Sequence, residues 1–166
     1  MGITAQTPIP SVTPAALRST LAGFTTGLSV VAAEVDGRIV GMPANSLVSV
    51  SLDPPLVALA FAHTSTTWPM LRRAGSWGIS VLGEEQAQVL QYLRRPAEER
   101  FRGVEMTIDG GAAFVRHALA RITVTPRSDV EAGDHTLVLL EVKRLHRDTT
   151  QRPLVFFDST THTLSH

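Results

Sequence analysis

Six hydroxyl side chains in two short segments are the part of this 166-residue sequence best placed to do chemistry: Ser46, Ser49 and Ser51 in one, Ser65, Thr66 and Thr67 in the other. No charged residue interrupts either segment. Hydroxyls and the N–H groups of a helix start can hold an anion without Lys or Arg, which suits a ligand bearing one phosphate and a polyol. The same residues also read as a solvated strand face and an ordinary helix cap. Other chemistries are poorly provided for. The absence of cysteine excludes thiolate catalysis, iron–sulfur clusters, zinc ribbons and disulfides together. Histidines stand at 63, 117, 135, 146, 162 and 166, and only His162 and His166 approach an i, i+4 pair, so no resident metal is expected. No G-x-S-x-G elbow is present. Glu84-Glu85 and Glu98-Glu99 fall in expected helices facing solvent, which does not make a hydrolytic carboxylate pair. G-x-G-x-x-G and Walker loops are absent as well.

The 15 Lys+Arg balance 15 Asp+Glu, and charged residues make up only 18% of the chain. Such a chain has little pull toward a nucleic-acid backbone or an anionic membrane, so neither is an expected partner. At about 150 residues per domain the length fits one domain, read as residues 13–166 behind a Pro- and Thr-rich N-terminal arm at 1–12. The first fourteen residues lack the basic and apolar stretches of a signal peptide, and the longest apolar run, Leu56 to Ala62, is too short to span a bilayer. A cytoplasmic protein is expected.

The elements that must position the hydroxyls follow from patterning. Thr13 as cap and Pro14 at the first helical position open a helix with Leu17, Leu21 and Phe24 on one face, closed by Gly27. Leu28 to Val35 and Arg38 to Met42 flank Asp36-Gly37, a two-residue hairpin signal. Val48 to Ser51 alternates apolar and hydroxyl side chains, Asp53-Pro54-Pro55 stops it, and Leu56 to Ala62 reads as a strand buried on both faces. Ser65-Thr66-Thr67 precedes a short helix over Trp68 to Arg73, ended by Gly75. A strand at Trp77 to Leu82, a helix at Glu84 to Leu93 and a second at Ala97 to Phe101 follow. Then come a strand at Ala120 to Thr125, a polar loop around Asp129 to Asp134, a long strand from His135 to Leu145, and a last one at Pro153 to Phe157. Six or seven strands with three short helices and no βαβ rhythm indicate a mainly β chain, an antiparallel barrel with helical insertions.

The segment Gly41-Met42-Pro43-Ala44-Asn45-Ser46-Leu47-Val48-Ser49-Val50-Ser51-Leu52-Asp53-Pro54-Pro55-Leu56 resembles the signature of the flavin reductase-like family, the short-chain NAD(P)H:flavin reductases of two-component monooxygenases. Leu21 to Val31, Ser65 to Pro69, Arg100 to Glu105, Ala132 to Thr136 and Pro153 to Val155 agree in order and spacing, so the resemblance spans about residues 15–157.

That resemblance implies an FMN-binding split barrel, six antiparallel strands in a Greek key, that forms homodimers. Met42, Pro43, Ala44, Asn45 and Ser46 would border the isoalloxazine, Ser49 and Ser51 would reach its ribityl or pyrimidine polar atoms, and Ser65, Thr66, Thr67 and Trp68 would hold the phosphate end. Gly133, Asp134 and His135 match the loop whose histidine contacts the nicotinamide nucleotide. The implied reaction is hydride transfer from NADH or NADPH to N5 of FMN or FAD, with the reduced flavin passing to a separate monooxygenase. Both cofactor choices stay open, because no one arginine stands out as a reader of a 2′-phosphate. Two departures are specific to this chain. Pro43 stands where the family has Thr, and Asp158-Ser159-Thr160-Thr161 replaces a usual Arg-Gly-x-Tyr. They leave room for two other readings, a flavin-holding protein without turnover and an oxygenase acting in the same site.

Overall fold

The computed structural model describes residues 11–165, so residues 1–10 of the expected arm and His166 of the histidine pair lie outside the described residues. Helix α1 spans Pro14–Leu21; Thr13 is extended (φ −111°, ψ 157°) and its hydroxyl accepts from the Ala16 N–H at 3.1 Å. The helix stops well before Gly27, because Thr26–Gly27 is already drawn out as β1 and pairs with β11, Val155–Phe157. The apolar face of α1 is uncovered, with Leu17 and Leu21 half out and Phe24 72% exposed.

Strands β2 (Ser29–Val35) and β3 (Arg38–Ala44) form the expected hairpin. Asp36 and Gly37 have φ of +51° and +72°, the type I′ geometry whose twist matches its flanking strands. After β4 (Val48–Leu52) and β5 (Pro55–Ala62) come α2 (Trp68–Leu71) and β6 (Trp77–Val81). A single 3-10 turn at Glu84–Gln86 and α3 (Val89–Leu93) lead to β7 (Met106–Asp109), β8 (Ala112–Val115), β9 (Ala120–Ala132) and β10 (His135–Arg147). The last described strand, β12 (Thr160–His162), folds back on β11. Every pairing is antiparallel. The main sheet runs β4-β5-β10-β9-β6-β2-β8-β7, with β3 attached to β2.

The core has two parts, and β2 divides them. Val31 and Ala33 point into a cluster with Leu59, Phe61, Trp68, Leu71 and Trp77, while Val30 and Ala32 point into another with Leu82, Leu90, Leu93, Ala113 and Leu154. Strand β2 is buried on both faces, as are β6 and β8; β5, expected in that role, buries only Ala58, Leu59 and Phe61.

Three other expectations are corrected. The helix over Glu84 to Leu93 is broken into the 3-10 turn and α3, because Gln86 bends back so that its side-chain oxygen accepts from the Gly83 N–H at 2.9 Å. Ala97 to Phe101 forms turns, with the Arg100 guanidinium bound to Arg95 O, Gly41 O and Thr67 Oγ1. The polar loop at Asp129 to Asp134 is strand as far as Ala132, closed by a two-residue turn at Gly133-Asp134 with Gly133 at φ +66°. A hairpin from Met106 to Val115, turning on Gly110-Gly111, stands where the sequence pattern signals no element. No helix among the described residues is long and apolar enough to cross a membrane.

Candidate functional site

The site is built around an unfilled strand edge. Strand β3 pairs with β2 alone, so alternate backbone groups of β3 face away from the sheet. The Gly41 carbonyl is one of them, accepting from an Arg100 Nη at 3.2 Å. With a repeat of two, the backbone of Pro43 also faces outward. The missing Pro43 N–H therefore costs no ladder bond, which is why proline is tolerated inside this strand. The carbonyl of Ala44, in the opposite phase to Gly41 and Pro43, turns inward and accepts from the Ser29 hydroxyl at 2.9 Å.

Against this edge lies the start of α2. The Ser65 hydroxyl accepts from the Trp68 N–H at 3.1 Å and lies 3.9 Å from the Met42 sulfur, so one side chain both caps the turn and ties it to β3. Thr67 is buried, and its hydroxyl accepts from Arg100 at 2.8 Å. Thr66 remains exposed. The helix is anchored from both ends: Trp68 stacks on Phe61 in the core, Arg72 bonds Asp129 of β9 at 2.9 Å, and Arg73 bonds Asp36 of the β2–β3 turn at 2.8 Å. Between β3, α2 and the turns at 97–102 is a cavity of about 840 Å³, with Val40, Gly41, Thr66, Thr67, Met70 and Phe101 among its walls. Further along the chain, smaller cavities of about 70 and 250 Å³ are both bounded by Ala44 and Asn45.

The third predicted segment is brought to the same end of the sheet. His135 pairs with Ala62, the last residue of β5, and the His63 N–H donates to the Asp134 carbonyl at 2.9 Å, so the Gly133–His135 turn adjoins the loop leading to Ser65. His135 Nδ1 lies 2.6 Å from an Asp134 carboxylate oxygen, an arrangement that aims the other ring nitrogen outward. Beside it His63 Nε2 is 3.1 Å from the Thr136 hydroxyl and 3.2 Å from Glu131. The remaining serines are placed differently. Ser46 is bound into the frame, accepting from the Ala60 N–H at 3.1 Å. Ser49 and Ser51 sit on edge strand β4; Ser51 pairs with Leu56, six positions along β5 from Ala62 and so about 20 Å from the His135 end. A bulge at Val50 interrupts their alternation, and the oily side of β4 is uncovered, with Leu52 91% exposed.

The Asp134 carboxyl is held below the usual carboxylate range, chiefly by its hydrogen bond with His135 and next by the charge of that ring. Because the folded value lies below the unfolded one, about 3.9, the stabilising contribution is present above that pH and lost as pH falls through the lower folded value. In an NMR titration the Asp134 carboxyl should have its midpoint below the ordinary value, and His135→Ala should move it back up; an unmoved midpoint would break the pair.

Arg100 braces this region although nothing in the sequence singles it out. It bonds Arg95 O, Gly41 O and Thr67 Oγ1, joining three segments far apart in the chain. Among the described residues no group of three or more His, Asp or Glu could hold a metal ion.

A family model described as flavin reductase like domain matches residues 21–165. The flavin reductase of Pseudomonas putida is 34% identical over 149 residues, covering 89% of this chain and 88% of that protein. An NADH:riboflavin 5′-phosphate oxidoreductase of Streptomyces pristinaespiralis is 34% identical over 158 residues, 93% of this chain and 90% of that one. Among solved structures, the styrene monooxygenase flavin reductase of Pseudomonas putida S12 matches with a TM-score of 0.81 at 32% identity, covering 90% of this chain and 97% of its own.

Proposed function

Since this chain belongs to the family of flavin reductase like domains, we propose that it is an NAD(P)H:flavin oxidoreductase that binds FMN or FAD along the outer edge of β3 and supplies reduced flavin to a separate monooxygenase. The observation that carries the reading is the outer edge of β3 from Met42 to Ala44, which no other strand covers and which carries no charged side chain, with a large cavity at Gly41 and two small ones at Ala44 and Asn45. A flavin needs amide partners for its pyrimidine atoms, a thin apolar wall for its ring and hydroxyl or N–H donors for its phosphate. The outward backbone at 41 and 43, the Met42 and Ala44 side chains, Asn45, and Ser65 to Thr67 supply that set in chain order. When bound, the flavin itself accepts hydride at N5, so no acid or base of the protein is required.

The chain's own residues then bind and orient. Met42 to Ser46 border the ring, Ser65 to Trp68 serve the phosphate end, and Gly133-Asp134-His135 face the incoming nucleotide, with Asp134 setting the direction of the imidazole. The apolar face of α1 and the uncovered side of β4 support a homodimer, whose partner would cover them. The whole is read as one split-barrel domain over residues 13–166.

Anaerobic titration with FMN followed by NADH tests the reading: flavin fluorescence should quench on binding and flavin absorbance bleach on reduction, while in air NADH consumption should depend on added flavin for many turnovers. Protein that leaves flavin fluorescence unchanged and NADH intact overturns it. The absent N–H of Pro43 favours a second reading, tight flavin holding with negligible steady-state NADH consumption, which the same titration separates. His135→Ala should raise the nucleotide KM about three- to tenfold, the worth of one hydrogen bond, and leave the flavin Kd within twofold. Equal effects on both would remove the role given to His135.

A further inference from the structure

We propose that a groove leading from Asn45 to Ser159, with the Arg94 guanidinium at its middle, binds the diphosphate of a dinucleotide. The inference rests on the flavin-reductase reading of the β3 edge, because the groove starts there. The cavity of about 250 Å³ beside Pro43 and Asn45 shares Leu90, Arg94 and Thr161 with a second one of about 430 Å³, which continues to Gln88, Gln91 and Ser159. The two adjoin at these three shared residues, and no acidic side chain lines either.

Arg94 is the cation of this groove. Among the described residues its guanidinium makes no hydrogen bond or ion pair, while the neighbouring Arg95 covers the Tyr92 ring and bonds Arg102 O. A planar guanidinium with five donors matches phosphate oxygens in pairs, and the hydroxyls of Ser159 and Thr161 with the amides of Gln88 and Gln91 offer uncharged donors around it. Leu28, Leu90 and Phe156 give the first stretch an apolar floor. The outer wall is formed by β12 and its turn, where Asp158 and Ser159 both have positive φ, +49° and +62°. This is the stretch in which the sequence leaves the Arg-Gly-x-Tyr pattern, so the wall belongs to this chain rather than to the family in general. A ligand with its ring end at Asn45 and a diphosphate further along would meet Arg94 next.

NAD(P)H and FAD both carry an ADP half, so ADP is the probe. Calorimetric titration of ADP into wild type and Arg94→Gln, each with and without FMN, should show saturable binding to wild type, at least tenfold weaker binding to the variant, and FMN affinity within twofold in both. Arg94→Lys, which keeps the charge without the planar fork, should fall between. The source is then read from the dinucleotides. A rise in NADH KM of about tenfold with unchanged FAD Kd assigns the groove to the nicotinamide nucleotide and supports the site; a FAD Kd weakened about tenfold with unchanged NADH KM overturns it, because the flavin's own phosphate lies at Ser65 to Trp68 in this reading. No ADP binding to wild type, equal ADP affinity in both proteins, or a parallel loss of FMN affinity overturns it. ADP bound through Arg94 by protein that takes up no flavin would keep the groove and remove the reading of the β3 edge. FMN bound and reduced with ADP indifferent to Arg94 would do the reverse.

Discussion

Phe61→Ala should lower the unfolding free energy by about 3–5 kcal/mol, the range for deleting a buried aromatic ring, and drop the melting temperature by roughly 10 °C for a chain of this size. Phe61 is 1% exposed and holds an aromatic triad together. Its ring stacks on Trp68 at 4.3 Å and 12°, meets the edge of Trp77 at 5.9 Å and 81°, and the two tryptophans meet each other at 5.7 Å and 90°. Truncation removes the transfer free energy of the ring, leaves a cavity and breaks two aromatic contacts. The loss reaches the site because Trp68 is the first residue of α2 and carries the cap from Ser65. Chemical denaturation should show the full decrease and near-ultraviolet circular dichroism a loss of tryptophan signal, whereas Phe61→Leu should cost less. A decrease under about 1 kcal/mol would mean that the site's helix is anchored by something else.

Gly78→Ala should be comparably damaging by the opposite route. A Cβ at position 78 would stand 2.2 Å from Ala113 O, 2.8 Å from Ala113 C and 2.9 Å from the Phe114 ring. Two of those atoms are backbone of β8 and cannot rotate away, and β6 is fixed between β2 and β9, so the strands β6 and β8 themselves must part. The expected cost is about 1–3 kcal/mol or more. Gly75→Ala is the control: a Cβ there meets nothing within 4 Å, and the change should stay within about 0.5 kcal/mol. Similar denaturation midpoints for the two variants would contradict the close approach of β6 and β8.

What could be read from the residues alone was what depends on neighbours in the chain. Asp36-Gly37 announced its hairpin because a two-residue turn needs positive φ at both positions, and Thr13-Pro14 announced α1 because cap and first-turn chemistry are local. The long arm of β9 was hidden by its surroundings: Thr125 to Ala132 pair with β10 on one side only, so polar Arg127, Ser128, Asp129 and Glu131 look like a loop although their backbone is strand. Conversely, Ala97 to Phe101 has helix-forming residues behind a proline, yet tertiary bonds from Arg100 to Gly41 and Thr67 decide its shape. The hydroxyls of the site were visible as composition. Their division of labour was not, since Ser46 is spent on Ala60 and Ser65 on Trp68 through contacts set by the fold. Arg94 gave no local signal either, because its setting is made by β3 and β12, distant in sequence.

Strand β10 lies between β5 and β9 and is the sheet's central partner for both. While the protein is being made, β5 leaves the ribosome long before the strand that must lie beside it. The nascent chain therefore carries a vacant slot and an unsheltered half-core through most of its synthesis, and such species invite chaperones and mispairing with other chains. Shortening the gene at its 3′ end past the codons for β10 would remove a keystone from the whole sheet, whereas a 5′ trim that stops short of the codons for β1 would reach only the outlying α1.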